Sequence, residues 1–180
     1  NSIGRVGPGY EFFLVGVYFI FGHHYEAVWI LQAIFHALSV LLVFLIARQA
    51  LGKVGPSAEG PTLTRRAGPL IASVLFGFSP DLIIASSMLL AENLAIFLML
   101  VSIFIFFRII ENPSVRLTVL LGAVFAFSVL VRTPLLLIII PIIYFFYSRK
   151  LFLHLALLLF IIIVIMTPLT IRNFQVYGAF

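Results

Sequence analysis

The chain has 180 residues, of which 63% are hydrophobic and 9% are charged, and its mean hydropathy is +1.26. Soluble domains are about 45–50% apolar and about 25% charged, so this composition excludes a soluble globular domain and indicates an integral membrane protein. The net charge of +5 is spread over small basic groups between apolar runs, which argues against nucleic-acid binding, and the lack of cysteine excludes a disulfide framework.

Residues 1–25 predict an outer loop that contains a short interfacial helix. The run from Tyr10 to Phe21 is apolar and aromatic, and is bounded by Gly-Pro-Gly and by Gly-His-His. It is too short for the roughly 20 residues that a membrane-spanning helix needs, so we expect it to lie at the membrane surface or to re-enter it. Adjacent histidines point apart on a helix, and we predict no metal site at His23-His24.

Six membrane spans are predicted after this loop. A helix rises 1.5 Å per residue, so the apolar stretch from Gly68 to Ile110 would measure about 64 Å, roughly twice the hydrocarbon thickness, and must fold back. A turn at Pro80 would leave a first arm of only about 18 Å. We therefore place the turn at Ser86-Ser87. The predicted spans are residues 26–47, 68–85, 89–109, 117–131, 135–147 and 151–167.

The stretch from Leu117 to Tyr147 is divided at Arg132-Thr133-Pro134. Proline disfavours helix for the residue before it and lacks a backbone donor, and an arginine at the centre of a single span would be costly. Two short spans therefore meet there. The predicted fold is an all-α polytopic membrane protein with about six transmembrane helices and one short interfacial helix, in a single domain over residues 1–180.

The charges support this topology. With the loop from Arg48 to Arg66 taken as cytoplasmic, eight of the eleven basic residues lie inside and four of the six acidic residues lie outside. This is the positive-inside pattern of membrane proteins. The basic residues left on the outer side are Arg5, Arg132 and Arg172.

The polar residues on the outer side form the candidate site. Glu92 lies about one turn into its helix, where an ionised carboxylate is costly unless it faces a cavity or pairs with a cation, and Arg132 or Arg172 can supply that cation. A functional role is favoured over a structural ion pair for Glu92 and Arg132. Arg5 and Arg172 also fit interfacial anchors that reach lipid phosphates, and Asp81 after Ser-Pro fits local turn chemistry.

Several segments resemble those of a known group of enzymes. They are Arg5-Val-Gly-Pro-Gly-Tyr10, Leu31-Gln32, Leu90-Ala-Glu92-Asn-Leu94, Leu130-Val-Arg132-Thr-Pro134 and Thr167-Pro-Leu-Thr-Ile-Arg172-Asn173. The resemblance is to the GT-C superfamily of glycosyltransferases, and within it to the dolichyl-phosphate-mannose protein mannosyltransferases (family 39) and the lipid A aminoarabinose or galacturonic acid transferases. It covers nearly the whole chain in order, although the motifs are short and indicate the superfamily better than the sugar.

The resemblance implies an inverting glycosyltransferase that moves a hexosyl or pentosyl group from a polyprenyl-phosphate donor to a protein, lipid or glycan acceptor. The reaction is expected on the extracytoplasmic face of a bacterial or archaeal plasma membrane. The catalytic Asp of these enzymes precedes the Pro-Gly-Tyr segment and is expected upstream of Asn1. We therefore expect the chain to be a fragment of a larger GT-C membrane domain, and to be inactive alone.

The same resemblance assigns roles to the outer residues. Arg5, Arg132 and Arg172 are expected to bind the donor phosphate, for which the planar guanidinium is well suited. The residues expected to orient the sugar or the acceptor are Tyr10, Asp81, Glu92 and Asn173. No cofactor is certain and the need for a divalent metal stays open. The expected partners are membrane lipid, the lipid-linked donor and the acceptor, without nucleic acid.

Two alternatives remain from the sequence. In a transporter or flippase-like carrier, Glu92 and Arg132 would form a substrate or proton path, with charges near the midplane and repeat symmetry. The predicted charges lie instead at outer helix ends, and no repeat is evident. The chain can also be read as the scaffold of a multi-subunit assembly.

Overall fold

All regular secondary structure in the residues that the structure describes is helical. The computed structural model describes residues 8–52, 62–87 and 91–177, and 92% of this part is helical, with no strand in it. Three helical segments are long and apolar enough to cross a membrane, namely Tyr25–Gly52, Ala91–Glu111 and Phe152–Arg172, and the other apolar helices are shorter. The predicted class, an all-α polytopic membrane protein, is confirmed.

The helices follow one another with short connections. They are α1 (Pro8–Phe21), α2 (Tyr25–Gly52), α3 (Thr62–Gly77), α4 (Pro80–Ser87), α5 (Ala91–Glu111), α6 (Val115–Val131), a 3-10 segment (Thr133–Ile138), α7 (Ile139–Ser148) and α8 (Phe152–Tyr177).

Helices α2 and α5 run parallel. Near their starts, the Phe35 and Phe97 rings stack with centroids 4.9 Å apart. Near their ends, Arg48 and Arg108 line one cleft. Because α6 returns in the opposite direction after a three-residue connection, its end lies at the same side of the bundle as the starts of α2 and α5. The bundle therefore gathers these three termini at one end.

The main core lies between α5, α6, α7 and α8. Small residues on α6 let the helices approach closely: a Cβ added to Gly122 would lie 3.1 Å from Ile161 of α8, and Ala126 is fully buried. Small residues and close van der Waals packing hold helices together in a bilayer, where lipid is as apolar as leucine. The buried members of this core are Ile105, Ile109, Leu121, Phe125, Ala126, Val129, Ile142, Phe146, Leu158 and Ile162.

The predicted continuous helix over residues 68–85 is interrupted at Phe78 and Ser79. Helix α3 ends at Gly77 and α4 begins at Pro80, because proline has no N–H to continue the ladder. Two contacts satisfy carbonyls at this break: Ser79 N donates to Phe76 O at 3.2 Å, and His36 Nε2 lies 3.2 Å from Gly77 O. The turn predicted at Ser86-Ser87 borders residues 88–90, which lie outside the described residues, and α4 continues to Ser87.

Candidate functional site

The chain leaves the helical path at Arg132, immediately after α6. Arg132 has φ −147° and ψ 102°, an extended conformation, between the end of α6 and the 3-10 segment that begins at Thr133. Its backbone is held on both sides, since Arg132 N donates to Ser128 O at 2.9 Å and Leu135 N donates to Arg132 O at 3.1 Å. The guanidinium therefore projects from a fixed point at the end of the bundle where α2 and α5 begin.

Arg132 forms an ion pair with Glu92 of α5. Its Nη1 donates to Glu92 Oε1 at 2.9 Å, and the two side chains remain 49% and 36% exposed. A guanidinium carries five N–H donors, so the bond to Glu92 leaves others for a ligand. Exposed ion pairs contribute only about 0.2–1 kcal/mol to stability. The pair is thus better suited to holding Arg132 in one orientation than to stabilising the fold.

Tyr10 of α1 packs at the same junction. It is 3% exposed and lies in a cluster with Leu94, Ala95 and Val131, which come from α5 and α6. Its hydroxyl accepts a hydrogen bond of 3.1 Å from Gln32 Nε2 of α2. Burial raises the pKa of Tyr10 to about 12. Tyr10 is consequently a neutral phenol at physiological pH, which makes it a poor general base.

An apolar cavity of about 220 Å³ lies between α5, α6, the 3-10 segment and α7. Its two serines do not make it polar, because Ser102 Oγ donates to Leu98 O and Ser128 Oγ donates to Phe125 O within their own helices. Ser128 lines the cavity one helical turn before Arg132, so the exposed cation follows the wall of this cavity closely in sequence. The cavity is lined by Met99, Ser102, Ile103, Phe106, Phe125, Ser128, Leu135, Ile138, Pro141 and Ile142.

Among known proteins, the profile of the dolichyl-phosphate-mannose-protein mannosyltransferase family matches residues 5–171. The chain belongs to this family. The GT-C superfamily resemblance inferred from the sequence is thereby confirmed, and the chain is a member of a family of membrane glycosyltransferases. Searches of curated proteins and of solved structures gave no match.

Within this mannosyltransferase family member, the structure brings together Glu92, Arg132 and the Tyr10 junction. It does not join Asp81 or Arg172 to them. Asp81 is exposed in the first turn of α4, where a carboxylate is favoured by the helix dipole. Arg172 is exposed in α8, and among the described residues no hydrogen bond or ion pair links either one to Glu92 or Arg132.

Two predicted residues cannot be placed. Arg5 lies outside the described residues, and Asn173 belongs to α8 but its side chain is not among those described. In the part of the chain that the structure covers, no group of three or more His, Asp or Glu side chains is arranged to hold a metal ion. The assignments of Arg5, Arg172, Asp81 and Asn173 therefore remain predictions.

Sequence reasoning gave Gln32 and Asn93 no role in the site. Gln32 is fully buried and Asn93 is 3% exposed, and Asn93 Nδ2 has no hydrogen-bond partner within the described residues. Both are polar residues near the starts of apolar helices, where an amide is costly to bury without a reason. That cost was the signal that could have identified them.

Proposed function

We propose that this chain binds a polyprenyl-phosphate sugar at the Arg132 end of the bundle and takes part in transfer of the sugar to a hydroxyl acceptor. One observation carries the proposal: Arg132, about half exposed and held by Glu92, lies between Ser128 and Leu135, which both line the apolar cavity. A cation beside an apolar cavity matches an amphiphile with a phosphate head and an isoprenoid tail. Membership of the mannosyltransferase family supports the same donor class.

The proposed reaction breaks the bond between the sugar anomeric carbon and the phosphate oxygen. The acceptor hydroxyl oxygen forms the new bond on the opposite side, with inversion, and its proton passes to a carboxylate base. Polyprenyl phosphate leaves with the bonding electron pair. Negative charge grows on the leaving phosphate, and Arg132 stabilises it through charge-assisted hydrogen bonds.

We assign the other side chains in relation to Arg132. Glu92, already bonded to the guanidinium, orients Arg132 and is not assigned as the base. Arg172 and Arg5 are proposed as further phosphate ligands, and Asp81 and Asn173 as groups that orient the sugar or the acceptor. The base is assigned, by the family resemblance, to an Asp of the first outer loop.

The proposed face is the extracytoplasmic one, and the proposed acceptor is a protein, lipid or glycan. The support for the face is the charge pattern, which leaves Arg132 at the end opposite most of the basic residues. A carrier function is not favoured, because Glu92 and Arg132 lie at helix termini rather than near the middle of a span.

The test uses the full-length protein in lipid nanodiscs, with radiolabelled polyprenyl-phosphate mannose as the donor. Arg132→Ala is expected to lower kcat/KM about 100-fold or more, as removal of one transition-state donor does in other enzymes. The matched control is Arg116→Ala, which removes an exposed arginine from the opposite end of the same helix and should change kcat/KM less than about twofold. Unchanged transfer by Arg132→Ala would refute the phosphate-binding role.

A further inference from the structure

The first turn of α1 packs directly against the end of α6, just before Arg132. A Cβ added to Gly9 would lie 2.7 Å from Val131 N and 2.8 Å from Leu130 C, so the backbones of α1 and α6 are in direct contact there. Only glycine allows this approach, since real Cβ atoms do not come so near a backbone. The contact is made one to two residues before Arg132.

Tyr10 extends this contact to the other member of the ion pair. It belongs to a buried cluster that also contains Val131, the residue before Arg132, and Leu94, two residues after Glu92. This cluster therefore joins α1 to both helices close to the places from which the ion-paired residues project.

Gln32 fixes Tyr10 from a third helix. Gln32 is fully buried on α2. Its amide Nε2 donates a hydrogen bond of 3.1 Å to the hydroxyl of Tyr10, which lies 22 residues earlier in the sequence. A buried hydrogen bond of this kind is costly to break because the two polar groups cannot form hydrogen bonds to water instead. The tyrosine is thus held at its ring by packing and at its hydroxyl by a directional bond.

Tyr10 and Gln32 are much less exposed than the ion pair. Arg132 and Glu92 are 49% and 36% exposed, whereas Tyr10 is 3% exposed and Gln32 is fully buried. A bound donor can reach the charged pair but not the tyrosine or the glutamine. This differs from the prediction that Tyr10 orients the sugar or the acceptor directly.

We infer that Tyr10 and Gln32 are positioning residues, which hold α1 against α5 and α6 so that the Arg132 guanidinium is presented to the donor phosphate. The inference rests on the proposed function, because the phosphate is the ligand that Arg132 is proposed to bind. Gln32 has no role in any of the family-based assignments above. The two contacts that would hold α1 in place are the α1–α6 backbone contact at Gly9 and the Gln32–Tyr10 hydrogen bond.

The test measures binding of unlabelled polyprenyl phosphate to the full-length protein in nanodiscs, which needs no turnover and works for inactive variants. Tyr10→Phe and Gln32→Leu should each weaken binding about fivefold to tenfold, and the double variant should be no weaker than the poorer single one, because either change removes the same bond. Ser39→Ala is the matched control: Ser39 is buried on α2 but bonds only to Phe35 O of its own helix, and affinity should change less than about twofold.

A second measurement separates positioning from general structural damage. In an Arg132→Ala background, Tyr10→Phe should weaken binding less than about twofold, because the residue through which it acts is already absent. A full fivefold to tenfold loss in that background would overturn the inference, as would wild-type affinity in both single variants. If Arg132→Ala itself binds polyprenyl phosphate normally, the proposed function fails instead, so the two failures are distinguishable.

Discussion

Arg132 Nη1 lies 2.9 Å from Glu92 Oε1 although forty residues separate them in sequence. The pair joins the end of α6 to the first turn of α5, and the proposed donor site depends on this junction. Since both side chains are partly exposed, their attraction is moderated by water and ions, and a phosphate can compete with the carboxylate for the guanidinium.

Glu92→Gln tests this competition. Removing the carboxylate charge should tighten binding of polyprenyl phosphate up to about fivefold, since an exposed pair contributes at most about 1 kcal/mol. Transfer should nevertheless fall about tenfold, because Arg132 loses the group that orients it. The measurements are a binding titration at low and high salt and a transfer assay. Glu26→Gln, an exposed carboxylate in the first turn of α2, is the control, and weaker phosphate binding by Glu92→Gln would contradict the competition.

A pair of glycines on α1 gives a stability prediction. Gly9→Ala places a Cβ within 2.8 Å of two α6 backbone atoms, which forces the helices apart and should destabilise the protein by about 1–3 kcal/mol. Gly16→Ala, on the same helix with nothing within 4 Å of its Cβ, should be neutral or stabilise by up to about 1 kcal/mol. Thermal unfolding of the full-length protein in detergent measures both. Equal apparent Tm values for the two variants would show that the close contact with α6 does not limit stability.

The apolar cavity can be filled from α5. Ser102 is 2% exposed and lines the cavity, so Ser102→Phe puts a ring where the isoprenoid chain is proposed to enter. The displaced tail should hold the phosphate away from Arg132 and lower kcat/KM for a long-chain donor roughly tenfold to a hundredfold. A two-isoprene donor, whose tail ends sooner, should be affected less.

Ser102→Ala is the control for the cavity, because it removes the hydroxyl and its bond to Leu98 O without occupying the space. It should leave kcat/KM for both donors within about twofold. An equal loss for long-chain and short-chain donors with Ser102→Phe would indicate a disturbed core rather than an obstructed tail.

The Glu92–Arg132 pair could be predicted in part from the sequence. The cost of an ionised carboxylate near a helix start pointed to a cation partner for Glu92, and Pro134 indicated the break that exposes Arg132. The choice between Arg132 and Arg172 depended on which helices pack together, and α5 lies against α6. No local pattern contains that information.

The break before Pro80 was not predicted from the sequence. Span length favoured a continuous helix over residues 68–85, but the chain breaks before Pro80, which takes the first position of α4, where a proline's missing N–H needs no partner. His36 from α2 supplies a hydrogen bond to Gly77 O at the broken end. That partner lies 41 residues away, which is why the sequence did not reveal it. Likewise, Gln32 lies in an otherwise apolar span, and only the packing of α1 identifies Tyr10 as its partner.

The topology can be tested by cysteine labelling, since the chain contains no cysteine. His24 precedes α2 and Asn112 follows α5, and both are exposed. Because α2 and α5 run parallel, His24→Cys and Asn112→Cys should lie on opposite sides of the membrane. In sealed vesicles of known orientation, an impermeant maleimide should label one directly and the other only after permeabilisation.

Two further positions make the result specific to the proposed face. Thr133→Cys, beside Arg132, should label with His24→Cys, and Lys150→Cys, after α7, should label with Asn112→Cys, because α6 and α7 each return the chain to the other side. The positive-inside pattern assigns the His24 and Thr133 side to the extracytoplasmic face. Labelling of Thr133→Cys together with Asn112→Cys would place Arg132 on the basic side and remove the support for an extracytoplasmic donor site.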